Sequence, residues 1–154
     1  TSTDGTDFGT ATNTTQTVEV GTLNALALSG NIAYPQTSAN SNTGATNQAI
    51  TVTNTGNTPI QGEISGDVMC LSYPTCNTAK FGPTQQKLGL SDVTFASLTY
   101  TLTATATPAT IPLVLATTTA TTTTVTDLTY WGIAIPSAQA AGAYTGQNTF
   151  TAVP

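Results

Sequence analysis

Residues 127–154 read DLTYWGIAIPSAQAAGAYTGQNTFTAVP, and this stretch decides the fold. Trp131, Ile133 and Ile135 alternate with Gly132 and Ala134 until Pro136 ends the run. A period of two marks a strand with one buried face. A second run starts after the small residues through Gly142 and extends from Tyr144 to Val153, so the stretch predicts a two-strand unit carrying the chain's only tryptophan. Burying an indole removes a large apolar area from water, and its N–H needs a single acceptor. Trp131, Ile133 and Ile135 are therefore expected to anchor a core rather than to form a ligand platform.

Working outward, the same signals recur. Val18 and Val20 precede Leu26 and Leu28 across Gly21, with a register shift expected there; Ile32 and Tyr34 form a short strand closed by Pro35; residues 36–47 read as a polar surface loop. Ile50 and Val52 lead into a turn at Asn54, Thr55, Gly56 and Asn57, and Ile60 and Ile64 follow it, with Pro59 at the strand start where a missing N–H costs least. From Leu98 the even positions Leu98, Tyr100, Leu102, Ala104 and Ala106 alternate with threonines, which predicts one apolar inward face and one hydroxyl outward face. Val93 and Phe95 lie on the other phase, so a bulge is expected at Ala96 and Ser97. Pro108 and Pro112 bracket a turn, Leu113, Val114 and Leu115 open a further strand, and threonines then dominate up to Thr126. Short strands, frequent turns and almost no helical period point to an all-β chain, an antiparallel β-sandwich of Ig-like or jelly-roll type. One domain is expected over residues 17–154, preceded by an extension over residues 1–16 whose single large apolar residue is Phe8.

Composition narrows the function. Seven acidic residues face only Lys80 and Lys87, with no Arg or His, so no basic patch exists to displace counterions from nucleic acid. Threonine makes up about a quarter of the chain, which favours β structure. A surface with so few charges needs cover, from covalent glycans, neighbouring copies or both. Asn13-Thr14-Thr15 is an N-glycosylation sequon, and Thr117, Thr118, Thr119, Thr121, Thr122, Thr123 and Thr124 are candidate O-glycan acceptors. No initiator Met, signal peptide or bilayer-length apolar run is present, which reads as a processed, secreted product at the cell surface without membrane insertion. Cys70 and Cys76 are too far apart for a CxxC redox motif and lack partners for zinc, so a local disulfide is expected, stabilising by about 2 kcal/mol.

Catalysis has no visible cast. Histidine is absent, and no Ser, Cys or Lys has a recognisable base partner, so the chain is read as a non-enzyme without cofactor. A glycosidase-like pair of Glu63 with Asp92 or Asp127 has no local support. Asp4 and Asp7 flank Gly5, yet their spacing is not that of an EF-hand, and no metal is expected. A carbohydrate-binding or surface-layer module is the alternative function, with Trp131 and Tyr34, Tyr73, Tyr100, Tyr130 or Tyr144 as a stacking platform.

The pattern YWGIAIP, a polar spacer and AGAYTGQNTFTA resembles the terminal hairpin of secreted archaeal and bacterial β-sandwich surface proteins, and residues 49–66, AITVTNTGNTPIQGEISG, resemble their strand, Asn-rich turn and strand. Among these the chain is similar to the TasA-like and archaeal bundling-pilin group of filament subunits. The two matches cover under a third of the chain. The resemblance implies a secreted structural protein that polymerises into an extracellular filament, a homopolymer joined by donor-strand complementation. Residues 1–16 would supply the strand, with Phe8, Thr10 and Thr12 on its inserted face. This segment is poorer in large apolar residues than an ideal donor.

Overall fold

A computed structural model of the chain describes residues 21–105 and 125–154. Among these residues ten strands run in the order β1 Leu26–Leu28, β2 Ser41–Asn42, β3 Gln48–Asn54, β4 Gln61–Gly66, β5 Met69–Cys70, β6 Lys80–Phe81, β7 Gln86–Gly89, β8 Tyr100–Thr101, β9 Val125–Ile135 and β10 Asn148–Val153. Two short 3-10 turns, Pro83–Gln85 and Phe95–Ser97, are the only helical pieces among the described residues. Every strand pair is antiparallel.

Two layers result, and the fold is an all-β antiparallel sandwich. The larger sheet runs β1-β3-β9-β7-β8, with β2 on β9 beyond the end of β3. The smaller layer pairs β10 with β4 and continues, through a bridge between Cys70 and Thr145, to β5 and β6. Ile50, Val52, Leu88 and Trp131 from the larger sheet meet Ile60, Ile64 and Leu102 between the layers. Trp131 is fully buried at 0% exposure, Ile133 is buried and Ile135 half-buried. The indole N–H donates to Thr129 Oγ1 at 2.9 Å, and that hydroxyl donates onward to the Ile50 carbonyl at 3.1 Å, so the one polar atom of the largest core side chain is satisfied inside.

Several sequence expectations change once the layers are in place. The terminal stretch is not a hairpin: β9 lies in the larger sheet and β10 in the smaller, and they meet face to face, with Trp131 and Phe150 ring centroids 5.6 Å apart. Each needs an apolar inner face, and period-two alternation looks the same whether two strands pair edge to edge or stack. The run from Ile50 to Ile64 likewise crosses between layers. Its turn is an arch built on Asn54, whose Nδ2 donates to Thr58 O and whose Oδ1 accepts from Gly56 N–H, both at 2.8 Å. Gly56 is required there, since a Cβ would fall 2.1 Å from Leu23 O.

The longest alternation gives a strand of only two residues. Only Tyr100 and Thr101 pair with β7, and Leu102 N–H donates to Gln86 O before Thr103 O accepts from Gly66 N–H of the other layer, so the chain crosses a corner rather than extending a strand. Leu98 does not share the inward face of Leu102: a Cβ on Gly132, between core-facing Trp131 and Ile133, would meet Leu98 Cδ1 at 2.9 Å and Phe95 Cδ2 at 2.8 Å. Leu98 therefore packs on the outer face of the larger sheet, and the expected bulge at Ala96 and Ser97 is the second 3-10 turn. The loop over residues 36–47 contains β2 and the buried Thr43, whose Oγ1 accepts from Ile133 N–H at 3.2 Å. Ile32 and Tyr34 are in no strand. Val18, Val20 and residues 108–115 lie outside the described residues.

Candidate strand-acceptor groove

Among the described residues one side of the sandwich closes and the other does not. Asp67 N–H donates to Gln147 O at 2.8 Å. In an antiparallel ladder a residue sends both main-chain groups to one side, and the sides alternate. Residues 147, 149 and 151 therefore face β4, while Asn148, Phe150 and Ala152 point their N–H and C=O groups away from it. Thr145 exchanges both bonds with Cys70 at 2.9 Å, so Tyr144 and Gly146 extend the same outer row. No described residue bonds to that row. On the opposite layer Ser29 N–H donates to Thr51 O and Thr55 N–H to Ala25 O, both at 3.0 Å, which leaves Leu26 and Leu28 facing outward at the edge of β1.

Apolar side chains along this seam are poorly covered. Leu28 pairs with fully buried Val52 and so lies on the core face of its sheet, yet it is 41% exposed. Phe150, opposite buried Ile64, is half-buried. Between the edges lie a cleft of about 570 Å³, reaching from Leu28 and Ile32 to Phe150, and one of about 820 Å³, reaching from Tyr34 and Ala39 to Gln139 and Tyr144 over Phe81, Ile133 and Ile135. Tyr34, Met69 and Tyr144 line both, so the two form one continuous groove. None of its lining residues is charged.

A buried polar cluster sits in the groove floor. Gln86 is buried inside the sandwich; its Nε2 donates to Asn148 Oδ1 at 3.3 Å, and its Oε1 accepts from Asn148 Nδ2 at 2.8 Å and from the Tyr34 hydroxyl at 3.0 Å. These bonds tie the two layers to the segment crossing the groove mouth. Burial pushes the Tyr34 phenol well above its usual range, because the phenolate would lose its hydration there.

At the far end Cys70 and Cys76 form a disulfide, with Cα atoms 5.3 Å apart. The turn it closes lies against residues 139–143: a Cβ on Gly142 would sit 2.6 Å from Leu71 Cδ2. The disulfide loop thus supports one wall of the larger cleft. Phe81 and Tyr144, with ring centroids 5.0 Å apart, stack beside it.

The other residues singled out from the sequence fall elsewhere. Phe8, Thr10, Thr12, Asn13 and the threonines at 117–119 and 121–124 lie outside the described residues, as do Asp4 and Asp7. Glu63 stands on the outer face of β4, between core-facing Gly62 and Ile64; Asp127 is in the other sheet, and Asp92 accepts from Asn47 Nδ2 at 2.8 Å. They are not brought together as a pair. Among the described residues no group of three or more His, Cys, Asp or Glu side chains could hold a metal ion, and no helix is long and apolar enough to cross a membrane. Gln86 and Asn148 were not singled out from the sequence, although each shares the phase of a core residue, Leu88 and Phe150, and a polar residue on an apolar phase is the signal that marks them. No family model, curated protein or solved structure matches the chain.

Proposed function

We propose that this chain is a secreted structural protein that assembles head to tail into an extracellular filament, each copy laying residues 1–16 into the groove of the next. The observation that carries the reading is the seam between β1 and β10, where a main-chain row that no described residue pairs borders an uncharged groove of mixed apolar and amide lining and the core-facing Leu28 stands exposed. An open edge is a template for a strand from another chain, in which main-chain bonds give affinity and alternate side chains give specificity. Phe8, with Thr10 and Thr12 on the same face, offers one large apolar plug and two small ones. A copy that gives one strand and receives one builds an open chain rather than a closed dimer. The disulfide is compatible with an oxidising, extracellular setting. Covalent glycans on Asn13 and the threonine tract would cover the low-charge surface.

The geometry gives less support to a carbohydrate-binding module. Trp131, the strongest stacking candidate, is fully buried, and the Tyr34 hydroxyl is engaged with Gln86. Deleting residues 1–16 should yield chains that no longer polymerise, and a synthetic peptide of residues 1–16 should bind them, read by electron microscopy and by calorimetry. Filaments of unchanged repeat from the truncated chain would overturn the proposal.

A further inference from the structure

The groove has two walls: β10 forms one, and the other is a strand only as far as Leu28, where β1 ends. Facing the free row of β10 are residues 30–39, which make no main-chain to main-chain hydrogen bond to any described residue. Their burial nonetheless alternates as a strand's does: Asn31 and Ala33 are exposed, Ile32 and Tyr34 half-buried against the core. The Tyr34 hydroxyl holds the segment to Gln86 at 3.0 Å, and Pro35 ends it. A strand-like segment with the apolar phase already docked lacks only a main-chain partner.

Resting on the donor-strand reading above, we infer that residues 31–34 become a β-strand when the groove is filled, so that residues 1–16 of a neighbouring copy pair on both sides, with β10 and with this segment. The reason is main-chain accounting. An inserted strand carries two rows of N–H and C=O groups, one on each side, and buried backbone groups are almost always paired. The outer row of β10, Asn148, Phe150 and Ala152, takes one row. The other row faces residues 30–39, because both clefts lie between that segment and residues 139–150. An inserted strand displaces the water of this cleft, whose lining mixes Leu28, Ile32, Ile50 and Phe150 with Asn31, Gln86, Gln147 and Asn148, so its second row needs main-chain partners from that segment. The occupant is a segment of this chain rather than a charged peptide, because no lining residue is charged and the face of Phe8, Thr10 and Thr12 is neutral.

Residue-resolved amide hydrogen exchange on assembled full-length chains tests this, with the amides of β3 as the internal reference for strand protection. In filaments the amides of Asn148, Phe150 and Ala152, and every second amide from Asn31 to Tyr34, should exchange at least about tenfold more slowly than in the unassembled Phe8→Asp chain. Protection at β10 with loop-like exchange over 31–34 would overturn this inference and leave donor-strand assembly intact. Loop-like exchange at both walls in filaments would overturn both. Protection of both walls in full-length chains that stay monomeric would mean that each copy fills its own groove, which overturns assembly by exchange of residues 1–16 and with it the neighbouring copy named here.

Discussion

The closed and open sides of this sandwich are built from the same residue types and reach different states. On the closed side β9 has neighbours on both flanks, β3 and β2 on one and β7 on the other, and the inward side chains in its middle, Thr129, Trp131 and Ile133, are buried. On the open side β10 has β4 and no other strand among the described residues, and Phe150 is half-buried although it points inward as Trp131 does. The difference lies in strand count, not in hydrophobicity. A core-facing side chain is dry only if its strand and the strands opposite have neighbours, and among the described residues β4 and β10, continued by the short β5 and β6, do not cover the larger sheet. Among the described residues the open seam is thus a shortage of backbone, which another segment of backbone is suited to fill.

The closed side should carry most of the stability, and the largest effect is expected there. Trp131→Ala removes a fully buried indole and leaves Thr129 Oγ1 without its donor. A loss of about 3–5 kcal/mol is expected in urea unfolding. A cost as small as that of an exposed substitution would break the comparison at its root, because Trp131 would then not be the anchor of a closed core.

Phe150→Ala probes the open side with the same chemistry. In unassembled chains the half-buried ring should contribute about 1–2 kcal/mol, well under the Trp131 effect. In filaments the inserted strand would complete the burial of Phe150, so the substitution should raise the critical concentration for assembly more than it lowers the urea midpoint of the monomer. Equal effects in the two assays would mean that the seam is already as dry as the core, and that nothing remains for a neighbour to cover.

The two sides also differ in how much the sequence discloses. The phase of Trp131, Ile133 and Ile135 could be read directly, as could the pairing of Cys70 with Cys76, because alternation and a six-residue spacing are local. Which strands pair is not local. Period two in Tyr144–Val153 says that one face is apolar, and it is silent on whether the partner is β9 beside it or β4 more than eighty residues earlier. The threonine alternation after Leu98 shows a second limit, since the chain leaves the ladder at Leu102 and sends Leu98 to the outer face, where the glycines at 89 and 132 make room. Those glycines look like gaps in a strand until something is seen to occupy them. Ile32 and Tyr34 fall between these cases: their alternation is legible and their burial follows it, while the hydrogen bonds that define a strand need a partner that the described residues do not supply.

The smallest expected effect concerns the tie between the sides, and it depends on pH. The Tyr34 hydroxyl donates to Gln86 Oε1, which also accepts from Asn148 Nδ2, so Tyr34→Phe leaves the acceptor satisfied and should cost no more than about 1 kcal/mol at neutral pH. Alkali reverses the balance. Burial raises the Tyr34 pKa in the folded chain, so the proton is held more tightly there than in the unfolded chain, where the phenol ionises near its ordinary value of about 10. Stability from this protonated phenol is fully present below about pH 10 and is lost as pH rises from there toward the folded value, at about 1.4 kcal/mol per pH unit. By pH 11 the natural chain should have lost its advantage over Tyr34→Phe, which has no proton to lose at this position; the other tyrosines are common to both and cancel. Urea midpoints of the two chains at pH 7, 9, 10 and 11 measure the difference, and the two profiles should converge above pH 10. Parallel profiles would show that Tyr34 ionises as readily in the folded chain as in the unfolded one, and hence that the groove mouth is wet and the tie to Gln86 is not buried.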